Sequence, residues 1–285
     1  MHWLEMSLDA GLAQLPWSSL LHGMAEHLEL SSRPQPRDPW RIRPSLVADP
    51  CPLSQAKKLM GHEAQPNFHV DSVRQGRPNG GTALNFMRGF TAEALVVTCL
   101  KATGYGRVLA HAPTYTVTVA PDLEAHPDVV VDEADGHGPV LVQIKNPNHG
   151  MFQRIKDGQT GGLQSHILQV ALELYITRLA GQYLPEKAYL FYLTWESFPP
   201  DTTTASGLQT LVHPVYWTKE AEVLVMELID NLRAIRENAA RGVFPAPDPQ
   251  SNPNKYPHSY CNFSRFGDGF VPACIDQEKW KSQAA

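Results

Sequence analysis

Apolar positions along the chain alternate between helical spacing and short β-branched runs. In the first 32 residues, Leu8, Leu12 and Leu15, then Leu20, Leu21, Met24 and Leu28, recur at helix-like intervals. A Pro- and Arg-rich stretch from Ser32 to Pro52 reads as an extended linker, residues 53–64 as a short helix, and 65–80 as a polar loop running into Asn79-Gly80-Gly81. From Thr82 to Thr103, the pattern Leu84, Met87, Phe90, Leu95, Val96, Cys99, Leu100 predicts an amphipathic helix, with Thr82 as N-cap and Gly104 as the stop. Strand-like runs follow at Thr114–Val119, Asp128–Val131 and Val140–Lys145. A Gly-rich turn at 158–162 opens a second long helix over Leu163–Ala180, ended by Gly181. Ala188–Thr194 and Val212–Thr218 then read as strands and Lys219–Arg241 as a third helix. The order is helix, three strands, helix, strand, which predicts an α/β fold with a mixed sheet flanked by helices. On this reading residues 82–242 form the core, 1–81 a helical and extended segment, and 243–285 a Pro-rich tail.

Composition narrows the class. The chain has 285 residues and a net charge of −5, so it is not a strongly basic nucleic-acid coat. Basic residues gather in the N-terminal third, at Arg33, Arg37, Arg41 and Arg43 and again at Arg74, Arg77 and Arg88. They read either as a track for phosphates or as a solvated surface. No apolar run reaches the roughly 18 residues a membrane span requires, and Met1-His2-Trp3-Leu4-Glu5 lacks the pattern of a secretory signal. Four widely spaced cysteines do not suggest a disulfide framework. The expectation is a soluble cytoplasmic protein, in a bacterium or a phage-infected host.

The candidate chemistry lies in mid-chain. Pro127-Asp128-Val129-Val130-Val131 is followed by a turn and then by Val140-Leu141-Val142-Gln143-Ile144-Lys145. In a strand, residues two apart share a face, so Gln143 and Lys145 point the same way. Folding the two runs together would bring Asp128 to that pair. A carboxylate and an amide oxygen can hold a hard divalent cation, with an ammonium beside them, a grouping suited to phosphodiester cleavage. The alternative is a strand-edge charge and a solvated lysine. Arg154 and Lys156, just beyond, read either as phosphate ligands or as solvated loop residues.

The αβββαβ order, with Pro127-Asp128 opening one strand and Gln143-Ile144-Lys145 closing the next, resembles the PD-(D/E)XK nuclease superfamily, whose core is restriction-endonuclease-like. Ser45 with Cys51-Pro52, Gly89-Phe90-Thr91-Ala92-Glu93 and Ser165-His166-Ile167-Leu168-Gln169 are similar to segments of RecB-like and lambda-type phage exonucleases. The resemblance covers roughly residues 82–195. It implies a Mg²⁺- or Mn²⁺-dependent exonuclease acting on DNA in recombination or end processing. Asp128, Gln143, Glu93 and the Ile144 carbonyl would be metal ligands, and Lys145 would orient the attacking water. Gln169 would fix the centre or the DNA backbone, with Arg88, Arg154 and Lys156 also toward DNA. The chain departs from the family at Gln143, where most members carry an acid, and at Glu173, where a tyrosine often follows Gln169 by four residues. A catalytically weak, nucleic-acid-binding subunit of a larger complex is the alternative function. The resemblance also implies a recombination or single-strand-annealing partner and a homo-oligomer. Relatives hold an iron–sulfur cluster through one upstream and three C-terminal cysteines. Here Cys51, His258, Cys261 and Cys274 would form a Cys₃His cluster or zinc site, or else a remnant retained as packing.

Overall fold

The computed structural model describes residues 2–16, 18–19, 21–23, 25–26, 38, 40–47, 52–60, 80–133, 136, 138–159, 161–195, 207–245, 265–267 and 269–271. Two compact units divide the chain: residues 1–36 with 86–225, and residues 37–85 with 226–285.

The first unit is built on five strands. These are β1 (Gly106–His111), β4 (Val129–Glu133), β5 (Pro139–Lys145), β6 (Lys187–Trp195) and β7 (Leu208–Tyr216), adjacent in that order. Neighbours pair antiparallel except β5 and β6, which run parallel. Parallel pairing requires a crossover, and α5 (His149–Lys156) and α6 (Gly161–Ala180) supply it. The α/β fold class is as expected: a mixed central sheet flanked by helices.

Burial explains why the strands are Val- and Leu-rich. Val129, Val130 and Val131 are all fully buried, because both faces of the sheet are covered. On one face Val129, Val131, Val140, Val142 and Ile144 pack with Leu4 and Leu8 of α1 (Trp3–Gln14) and with Leu95, Val96 and Leu100 of α4 (Gly80–Thr103). On the other, Val130, Leu141, Leu190 and Tyr192 pack with Phe152 and Ile155 of α5 and Val170 and Leu174 of α6. The period-2 alternation assigns every strand residue to one helix layer or the other. A slip of one residue would exchange the layers.

The strand assignment at the sheet edge needs correction. The expected first strand, 114–119, is not in the central sheet. Its core, β2 (Tyr115–Val117), pairs instead with β3 (Ala120–Ala125) in a separate two-stranded sheet that α6 packs upon. The edge strand is β1, whose Arg107-Val108-Leu109-Ala110 run is amphipathic and only half-buried. The first unit therefore keeps the helix–three strands–helix–strand order, with a hairpin inserted between the first two strands. α5 was also not anticipated. The Asn148 side chain caps it by accepting from the Met151 N–H at 2.9 Å.

The second unit contains α2 (Pro44–Val47), α3 (Pro52–Leu59), most of α7 (Lys219–Ala240) and the hairpin β8 (Arg265–Gly267) with β9 (Gly269–Val271). Ile42, Leu46, Ala56, Leu59, Ile229, Leu232 and Ala239 are among its buried apolar residues, and Arg236 donates to the Trp40 carbonyl at 2.8 Å. No helix among the described residues is long and apolar enough to cross a membrane.

Candidate active site

The antiparallel register of β4 and β5 sets the geometry. Val129 faces Val142, which puts Asp128, one residue before β4, across from Gln143. Asp128 shares the parity of Val130, while Gln143 and Lys145 share that of Leu141, so all three belong to the α6 side of the sheet. The Asp128 carboxylate Oδ2 accepts from the Ile144 N–H at 2.6 Å. That bond closes the ladder where β4 begins and ties the acid to the β5 backbone between Gln143 and Lys145.

Across the layer, α6 presents Gln169 and Glu173, four residues apart on one helical face. Lys145 Nζ donates to Gln169 Oε1 at 3.1 Å, and Gln169 Nε2 donates to Glu173 Oε1 at 3.2 Å. One turn earlier on the helix, His166 Nδ1 lies 2.9 Å from the Tyr192 hydroxyl. Glu93, on α4, is half-buried and near enough to act electrostatically on Asp128.

The electrostatics are those of crowded acids out of water. Burial drives the Asp128 carboxyl well above the usual carboxylate range. Glu93 and Glu173 push the same way, while Lys145 and the Ile144 N–H oppose them. Burial raises Glu173 to about 7 against the pull of Lys145 and Gln169. Burial, together with Lys145, lowers His166 to about 4, so its ring is neutral at neutral pH.

Two acceptors at this site lack any hydrogen-bond donor, Gln143 Oε1 and Glu173 Oε2, on residues only 5% and 2% exposed. Leaving such groups unmatched costs about 1–3 kcal/mol each. An amide oxygen and crowded carboxylates without donors suit a hard cation, which satisfies acceptors and relieves repulsion at once. Set against this, no group of three or more His, Cys, Asp or Glu side chains among the described residues stands ready to hold a metal. The donor set fits the cation through mixed ligands, carboxylate, amide and carbonyl, rather than through a cage of acids.

The structure thus brings together Asp128, Gln143, Ile144, Lys145 and Glu93. It places Gln169 inside the centre, 8% exposed, with both ends of its amide engaged by Lys145 and Glu173. Arg154 and Lys156 are exposed on the last turn of α5, so the segment is helix rather than loop. Arg88 is half-buried on α4. His126 sits between Thr114 Oγ1 at 3.1 Å and Glu124 Oε1 at 2.7 Å, engaged with the hairpin. Cys51, His258, Cys261 and Cys274 lie outside the described residues. Glu173 is the member that motif spacing missed. Its signal was present: a lone acid in the apolar run Val170-Ala171-Leu172-Glu173-Leu174, in helical register with Gln169.

No protein-family model matches the chain. No curated protein matches it in sequence. Among solved structures, an alkaline exonuclease from Laribacter hongkongensis is similar at 18% identity and a TM-score of 0.42, over 72% of this chain and 93% of that one. A phage-related exonuclease from Haemophilus somnus 129PT is similar at 10% identity and a TM-score of 0.41, over 71% and 96%. Both TM-scores fall below 0.5.

Proposed function

We propose that this chain is a divalent-metal-dependent deoxyribonuclease of the PD-(D/E)XK type, an exonuclease that hydrolyses phosphodiester bonds at DNA ends in phage or bacterial recombination. The observation that carries the reading is the placement of Asp128 opposite Gln143 with Lys145 on the same face, beside a buried amide oxygen that has no donor. Asp128, Gln143, Glu93 and the Ile144 carbonyl would hold Mg²⁺ or Mn²⁺. A cation so held supplies Lewis acidity, lowering the pKa of water and offsetting charge on the phosphate.

The remaining work falls to the chain. Ile144 N–H keeps Asp128 turned into the site. Lys145 commits one of its three donors to Gln169, leaving two to orient a water and to neutralise charge on a scissile phosphate oxygen. Arg154 and Lys156, exposed on α5 beyond the end of β5, would meet backbone phosphates.

The neutral Gln143 favours a second reading, a weakly catalytic or inactive DNA-binding subunit of a larger complex. Titrating Mg²⁺ and Mn²⁺ into the wild type and Asp128→Ala, on linear and on circular duplex, separates the two. The exonuclease reading expects metal-dependent loss of linear duplex alone, abolished by the substitution. DNA binding without cleavage at any metal concentration would sink it.

A further inference from the structure

The metal and water chemistry proposed above does not use Glu173, yet α6 buries this acid beside it. Taking a carboxylate out of water costs several kcal/mol unless partners compensate. Its neighbours Leu172 and Leu174 are fully buried, so the helix surroundings are apolar. Glu173 accepts a hydrogen bond from Gln169 Nε2 at 3.2 Å, and the other end of that amide meets Lys145 Nζ at 3.1 Å.

An amide can be held either way round, and its two partners decide which. Lys145 carries donors only and therefore demands the amide oxygen. The Glu173 oxygen facing Gln169 is an acceptor and therefore demands the amide nitrogen. With Glu173 at one end and Lys145 at the other, Gln169 has a single satisfactory orientation. Without Glu173 the amide can turn, and a turned amide presents N–H to the ammonium. The lysine then loses its anchor.

We propose that Glu173 is a positioning residue for Lys145, acting through Gln169 to hold the amine where it meets water and the scissile phosphate. The relay rests on the nuclease reading and adds to it a residue outside the Asp128–Gln143–Lys145 motif. In this chain it occupies the helix position where relatives often carry tyrosine.

A double-mutant cycle tests it. Single-turnover cleavage of end-labelled linear duplex with Mn²⁺ is measured for the wild type, Glu173→Leu, Glu173→Gln, Gln169→Leu, Lys145→Ala and the Lys145→Ala/Glu173→Leu double variant. Thermal unfolding checks that each is folded, and Gln169→Leu interrupts the relay independently should Glu173→Leu not fold. The relay predicts a roughly 10–100-fold fall in kcat for Glu173→Leu, as for other residues that orient a catalytic group. KM stays unchanged, and Glu173→Gln keeps most of the rate because its carbonyl still accepts from Gln169. In the Lys145→Ala background, Glu173→Leu costs nothing more, since the residue it positions is gone. Additive losses overturn the relay, as does a Glu173→Leu variant at the wild-type rate. So does weakened Mn²⁺ binding in Glu173→Gln, which would make Glu173 a cation ligand instead. If the wild type does not cleave, or Lys145→Ala cleaves as fast as wild type, the nuclease reading itself fails and takes the relay with it.

Discussion

The two ends of the β4–β5 pair each hold a carboxylate, Glu133 buried and Asp128 half-buried, and they treat it in opposite ways. At the turn end, Glu133 is 5% exposed and sits against a cation. Its Oε1 accepts from Trp3 Nε1 and from the Tyr189 hydroxyl, each at 2.8 Å, and Lys187 Nζ lies 2.6 Å from Oε2. Burial pulls the Lys187 pKa down, but the bonds to Glu133 and Tyr189 more than compensate and hold it above its ordinary value. Trp3 stands at the start of α1, so this cluster ties that helix to the sheet. At the other end, Asp128 keeps one backbone donor, faces two further acids, and has beside it acceptors without donors. A satisfied buried charge holds a fold together; an unsatisfied one is free energy held against a ligand. On the proposed function, the difference separates structural from functional polarity within a single pair of strands.

The sharpest way to break the comparison is to remove one group from each end. Lys145→Ala is expected to slow single-turnover cleavage by about 10²–10⁴-fold, the usual share of a positioned proton-transfer or charge-stabilising group. Its urea unfolding should stay close to wild type. Glu133→Ala is expected to do the reverse. It leaves the half-buried Lys187 ammonium and the Trp3 and Tyr189 donors without their acceptor and should cost about 1–3 kcal/mol in urea unfolding. On the proposed function, the folded variant should cleave at the wild-type rate.

A smaller effect comes from pH. Glu173 holds its proton more tightly when folded, at about 7 against an ordinary 4.5, so the native state carries the extra proton between those values. Stability therefore falls as pH rises through that window, by up to about 3 kcal/mol on this account. Asp128 is raised for the same reason and adds in the same direction, so comparison with Glu173→Gln isolates Glu173. Urea midpoints at about pH 5 and about pH 8 should differ less in Glu173→Gln than in wild type. An equal or larger difference would remove the buried acid from the account.

Much of this was legible in the sequence because parity is a strong constraint. Once Val129–Val131 and Val140–Ile144 are strands, Gln143 and Lys145 must share a face, and a hairpin brings Asp128 to them. The long helices were equally plain from spacing, as were β6 and the helix-borne Gln169. What escaped was set by tertiary context. β1 is half-exposed on the sheet edge, so its sequence lacks the apolar run that marked β4 and β5. The 114–119 run alternates as a strand does, yet it folds back on β3 to cover α6 instead of joining the sheet. Glu173 departed from an expected motif, and its role became visible only when the hydrogen bonds placed it behind Gln169.

Titration calorimetry with Mn²⁺, free of DNA, reads the difference between the two ends most directly. Wild type and Glu133→Gln should bind the ion alike, while Asp128→Ala should show no binding heat over the same range. Binding by Asp128→Ala equal to wild type would contradict the assignment of the cation to the Asp128 end of the strands.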